Sequence, residues 1–280
     1  MTGSDIEKTR DRPRRWLDTT LGELDAIIDE TRRGHSQLGV FPSMYRSVTA
    51  EIRDAVRSDF FDDGKAMEDL AVTFADRYLD AYRRWSNADT TTDSWKIAFE
   101  AATDGRRRMI AQHLLAGMNA HINLDLGIVA ADIAGNEPER LHTDFLRVNQ
   151  ILFQKLNGLQ EALGSVSTRM AWIDRLGGTL DERLMKLSIK DARDRAWDLA
   201  LDLIENPEDS NAIIETRDQE TADLSHTILG GVLPVRALSW FVAGSEPADV
   251  TAVLDAFAEK PIDLDAVEAA VSAEAGIRRG

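Results

Sequence analysis

Residues 113–127 read HLLAGMNAHINLDLG, an apolar stretch with five polar side chains set into it: His113, Asn119, His121, Asn123 and Asp125. Over the wider window 105–133, apolar residues recur at helical spacing on both sides. Ile110, Leu114, Met118 and Ile128 fall on one face, and Leu115, Ile122, Leu126 and Val129 on the other. A helix that is apolar around its whole circumference has no solvated side, so it belongs at the centre of a bundle. Any polar residue it carries must find a partner inside the protein.

The flanking segments keep the same three-and-four spacing, and none alternates as a strand does. The expected fold class is all-α: a single multi-helix bundle domain of roughly nine to eleven helices around the buried central one. Helices are expected over 19–31, opened by Thr19 or Thr20 with Glu23 behind and closed by Gly34, and over 43–60 after Pro42. A third, over 65–85, carries the stripe Met67, Leu70, Phe74, Tyr78 and Tyr82. The polar loop SNADTTTD ends in a cap at Thr92 or Asp93 and releases a helix through Trp95 and Phe99. Gly135 and Asn136 close the central helix, and further helices follow over 138–163, 181–205 and 209–229, with a loop at Leu176, Gly177 and Gly178. Gly230, Gly231 and Pro234 break the chain before short tail helices over 250–257 and 264–271. As domains, 1–15 read as a flexible charged N-terminus, 16–245 as the bundle, and 246–280 as short C-terminal helices packing on it or trailing it.

Composition narrows the function classes. The chain has no cysteine, which removes disulfides, iron–sulfur clusters and thiolate zinc, so a metal must be held by His, Asp, Glu or Asn. A formal charge of −16 repels nucleic acid and anionic lipid. The arginines at 10, 12, 14 and 15 and the run Arg106, Arg107, Arg108 are local exceptions that read as solvated faces. No run approaches the roughly 18 apolar residues of a membrane span, and the charged N-terminus has no signal core behind it. A cytoplasmic protein with a small-molecule partner, and neither nucleic acid nor membrane, is the expectation.

The chemistry centres on His121 and Asp125. Four residues apart, they share a helix face with Leu114, Gly117, Met118 and Ile128. An imidazole and a carboxylate on such a face must be hydrogen-bonded, charge-paired or bound to a metal. A divalent metal ion with His121 and Asp125 as ligands is one expectation, because bundle sites take two ligands from one helix and the rest from a facing one. An oriented general base is another, with Asp125 holding the tautomer of His121. His113 sits about 80° round the helix from His121 and joins the catalytic group as an accessory residue. Gly117, one turn before His121, leaves room for a close helix crossing or a small molecule.

Substrate-binding candidates come from the neighbouring segments. Asn119 lies on the other side of the central helix. In LHTDFLRVNQILFQKL, Asn149 shares a stripe with His142, Phe145 and Leu152, and Asn149 and Asp144 rank ahead of His142 as partners. His226 in RDQETADLSHTILGG is a candidate third ligand or base, and Tyr78 a candidate cavity wall. Signatures of serine hydrolases, phosphate loops, zincins, dinucleotide folds and calcium loops are absent.

FFDDGKAMEDLAVTFADRYLDAY, HLLAGMNAHINLDLG, DFLRVNQIL and KDARDRAW together resemble a mainly bacterial, all-helical domain-of-unknown-function family, most specifically in GMNAHINLDL. The resemblance runs from about Phe41 to Ile204 and implies the helical fold, with no activity to carry over. Three readings follow: an enzyme acting on a small molecule in an interior site, a non-catalytic small-ligand module, or a structural bundle whose polar residues lock helices together.

Overall fold

A computed structural model describes residues 16–106, 108, 110–166, 180–230 and 262–277, and among these there is no strand. The helices are α1 (Leu17–Arg33), α2 (Val40–Arg57), α3 (Gly64–Ser86), α4 (Asp93–Thr103), α5 (Ile110–Ala120), α6 (Leu126–Ala134), α7 (Pro138–Val166), α8 (Leu180–Glu205), α9 (Ser210–Gly230) and α10 (Leu264–Ile277). One turn of π-helix, His121–Asp125, joins α5 and α6 into a single rod. The expected N-terminus, the loop at 176–178, the break at 231–234 and the helix at 250–257 lie outside the described residues.

Helix starts show where local rules yield to packing. Neither Thr19 nor Thr20 caps α1; the helix opens two residues earlier because Leu17, Thr20, Leu21 and Leu24 all face the core. Helix α2 begins before Pro42 instead of after it, since a proline in the first turn gives up an N–H that has no partner there anyway. Asp63 caps α3 by accepting from the Ala66 N–H at 3.0 Å. Helix α4 borrows its cap: Asp218 of α9 accepts from the Asp93 and Ser94 N–H groups at 2.7 and 3.0 Å.

The α5–α6 rod runs through the middle of the bundle, and every described residue from Ala116 to Ala130 is buried. At Gly117 an added Cβ would lie 2.7 Å from the Phe41 ring of α2, and at Gly127 2.7 Å from the Ala196 carbonyl oxygen of α8. These two glycines set the closest helix crossings in the fold's centre. Of the two expected apolar faces, Leu115 is the exception, 38% exposed on the surface. By length and composition the segment Gln112–Ala134 qualifies as a membrane span, contrary to the sequence expectation, because its alanines and glycines dilute few charges. It is a core helix here, with 89% of that window buried in the protein.

The π turn rephases the rod. In it the Leu126 N–H reaches back five residues to the His121 carbonyl, so one residue is added to the turn and everything after it rotates. A straight helix would keep Ile128 with Leu114 and Met118. Instead Ile122, Leu126 and Val129 join Leu114 and Met118 in the main core, while Leu124 and Ile128 pack with Leu199 and Leu203 of α8 in a second cluster.

Helix α10 lies along α7 and reaches α2. Val267 is fully buried in the main core, Arg147 of α7 donates from Nε to Glu268 at 2.8 Å, and Glu51 of α2 accepts from the Ile262 N–H at 3.5 Å.

Gly117→Ala and Gly127→Ala are each expected to lower the unfolding free energy by about 1–3 kcal/mol. Gly22→Ala, exposed in α1 with nothing within 4 Å of the new methyl, is expected to raise it by up to about 1 kcal/mol. Urea denaturation of the three variants checks this, and a neutral Gly127→Ala would contradict the α6–α8 crossing.

Candidate functional site

Asp125 is 1% exposed, and a carboxylate so placed survives only if donors surround it. Three converge. Arg77 of α3 donates from Nε to Oδ1 at 2.9 Å, Trp95 of α4 donates from Nε1 to Oδ2 at 2.8 Å, and Nδ1 of His121 lies 3.2 Å from Oδ2. Burial alone would raise the carboxyl pKa; the Arg77 charge and the bonds from His121 and Trp95 outweigh it and hold the group below its ordinary value. An ionised carboxylate only accepts, so the proton between the pair sits on His121 Nδ1.

That assignment leaves Nε2 of His121 as an acceptor, buried and without a hydrogen-bond partner. The ring is 2% exposed. Phe74 stacks on it with centroids 3.6 Å apart and planes 6° from parallel, and Tyr45 meets it edge-on at 4.5 Å. Burial lowers the imidazole pKa and prevails over the hydrogen bond and charge of Asp125. The histidine is neutral at pH 7.

A small cavity adjoins the ring, walled by α2, α3, α7 and the central rod. Its volume of about 40 Å³ is room for on the order of three water-sized molecules. Phe41, Tyr45, Phe74, Met118 and His121 line it, together with Val148, Asn149 and Leu152 of α7. None of its lining residues carries a formal charge. Asn149 is 3% exposed.

The remaining candidates separate from this centre. His113 is buried, but eight residues and about 12 Å along the helix axis divide it from His121, and it does not line the cavity. Asn119 donates to the Thr221 carbonyl at 2.7 Å and to Ser225 Oγ at 2.9 Å, and accepts from Asn123 at 2.7 Å. This network fastens the rod to α9 on the side away from His121. Asp144 accepts from the Asp62 and Asp63 N–H groups at 3.0 and 2.8 Å and from Arg147 at 2.7 Å, pinning the α2–α3 turn. His226 is exposed on α9 and does not line the cavity. Tyr78 is 1% exposed among Phe41, Trp95 and Phe99 and does not line the cavity.

A divalent cation does not fit the pair. Both Asp125 oxygens already accept from N–H donors, and the Arg77 guanidinium would repel a second positive charge there. Among the described residues no three His, Asp or Glu side chains come together to hold an ion. The expectation of His121 and Asp125 as metal ligands finds no support in these donors.

Sequence reasoning missed Arg77 and the indole of Trp95 as partners of Asp125. The available signal for Arg77 was its place three residues after Phe74, on the shoulder of an apolar stripe; its side chain is only 16% exposed. For Trp95 there was none, because its N–H reaches Asp125 across thirty residues of chain.

Asp125→Ala is expected to cost about 3–5 kcal/mol, since it removes the buried carboxylate on which Arg77, Trp95 and His121 converge. Urea denaturation reads this directly; a loss under 1 kcal/mol would contradict the ionised carboxylate. A second expectation concerns acid. Burial, with Arg108 nearby, pulls the His113 pKa down to about 4. The unfolded chain therefore binds a proton below pH 6.5 that the folded chain refuses, so stability is full above 6.5 and falls as pH drops toward 4. His113→Leu is expected to remove about 2 kcal/mol of the stability lost between pH 7 and pH 5, measured by the same titration at the two pH values.

No curated protein matches the chain, and no solved structure does. The model of a family of unknown function, DUF5995, matches residues 17–231, which extends the likeness past the stretch from Phe41 to Ile204 at both ends and takes in α1 and all but the tail. With more than three quarters of its length covered by that match, the chain belongs to the family of unknown function DUF5995.

Proposed function

We propose that the chain is an acid–base protein for a small molecule held inside the bundle, with His121 as the base and Asp125 as the residue that orients it. The observation that carries this reading is the state of the imidazole: Nδ1 is committed to Asp125 while Nε2 is buried with no partner. An unmet buried acceptor costs about 1–3 kcal/mol. Asp125 uses only Nδ1, so Nε2 is a buried polar atom that the hydrogen bonds of the site leave unused.

The chemistry is that of an oriented base. Neutral at pH 7, the imidazole takes a proton at Nε2, and the fixed Asp125 carboxylate stabilises the imidazolium that forms. Arg77 and Trp95 keep the carboxylate from turning away. The apolar walls keep bulk water from competing for Nε2. The cytoplasmic setting, and partners that are neither nucleic acid nor membrane, belong to the same proposal, supported by the charge of −16.

A second reading, a binding module without catalysis, is favoured by the size of the cavity, which admits few atoms. In that case Nε2 fixes the orientation of the ligand and no proton moves.

His121→Phe tests the base. If Nε2 is kept for function, the variant should lose about 1–3 kcal/mol of unfolding free energy, for the hydrogen bond it no longer gives Asp125, and small-molecule binding with it. A stability loss above about 3 kcal/mol would mark His121 as a structural lock and sink the proposal. The tautomer is read by nitrogen-15 NMR of the histidines: the Nδ1–H form is expected for His121, and the Nε2–H form would overturn the dyad.

A further inference from the structure

We infer that the interior cavity takes an uncharged, apolar alcohol of a few carbons, its hydroxyl held by His121 Nε2 and Asn149. This rests on the dyad described above and names the ligand class for the same site.

Charge is excluded first. No lining residue is charged, so a carboxylate, phosphate or ammonium would lose its hydration without gaining a counter-ion. The walls are side chains such as Met44, Val48, Ile52 and Leu126, which recognise only an apolar body. Four polar side chains line the cavity: His121, Asn149, Tyr45 and Thr49. His121 Nε2, with the proton on Nδ1, accepts and cannot donate. The occupant must therefore carry a donor, which a hydrocarbon, ether, ketone or ester lacks. The Asn149 amide lines the same cavity and has both a donor and an acceptor to offer.

A hydroxyl satisfies both with one atom: its O–H donates to Nε2 and its oxygen accepts from the Asn149 amide N–H. A ligand amide would bring a second polar atom, for which the rest of the lining has only the Tyr45 and Thr49 hydroxyls. Thr49 already donates to the Tyr45 carbonyl at 2.8 Å. Size sets the upper bound. Room for on the order of three water-sized molecules admits a chain of about three to five heavy atoms, and Met44 and Met118 are the flexible walls that would yield to a slightly longer one.

The test uses the full chain and four probes of similar length: 1-butanol, 1-chlorobutane, 2-butanone and butyrate. Saturable binding of 1-butanol, on the order of millimolar, should move the His121 Nε2 resonance, with at least tenfold weaker binding of the other three. Asn149→Ala should weaken 1-butanol at least threefold without changing the His121 tautomer. Equal binding of 1-chlorobutane or 2-butanone, any preference for butyrate, or no saturable response to 1-butanol overturns the ligand class. The tautomer measured without ligand separates the two proposals: an Nδ1–H histidine with the wrong probe preference defeats the ligand class alone, while an Nε2–H histidine defeats the dyad and the ligand class built on it.

Discussion

The architecture depends on keeping one carboxylate ionised in a dry interior. Asp125 has 1% of its surface exposed, and without donors its charge would cost several kcal/mol. Arg77 from α3, Trp95 from α4 and His121 from its own rod meet that demand from three directions. The bonds from Arg77 and Trp95 also fix their helices to the rod. With α3 and α4 tied to the centre through single polar contacts, the aromatic side chains between them are left to fill space, and Phe74, Tyr78, Trp95 and Phe99 do so around the imidazole and each other.

The rod itself is adapted to this role. Gly117 and Gly127 remove side chains where Phe41 and the α8 backbone come closest, and the π turn between them brings the residues after it into register with the main core. The same turn divides the polar residues between two tasks. Asn119 and Asn123 face α9 and are hydrogen-bonded there, a lock between helices. His121 and Asp125 face the other way, and their network ends on an unmet nitrogen beside a cavity. The first network closes on itself and on α9; the second is left open at Nε2.

Much of this was legible in the chain. The helical periodicity, the central position of the 113–127 segment, the His121–Asp125 pairing and the interior place of Asn149 all follow from spacing and the cost of burying polar groups. Other candidates were placed by contacts the chain does not announce. Leu115 looks interior by periodicity, but its side of the rod opens to solvent, and the candidate His226 is exposed as well. Asp144 is a candidate because it lies beside the Asn149 stripe on the facing helix; two of its partners are backbone N–H groups of a distant turn, which carry no side-chain signature. A metal seemed natural for a histidine and an aspartate one turn apart until Arg77 took the place of the cation.

By itself, the amino-acid sequence determined that the protein is helical, which helix lies at its centre, and that an imidazole and a carboxylate there needed partners, because these follow from local spacing and desolvation. Only the tertiary structure decided who the partners are, that the helix is rephased by a π turn, and that one nitrogen is left unanswered beside an uncharged cavity. Those depend on which side chains meet across large separations in the chain, and no local pattern encodes such meetings.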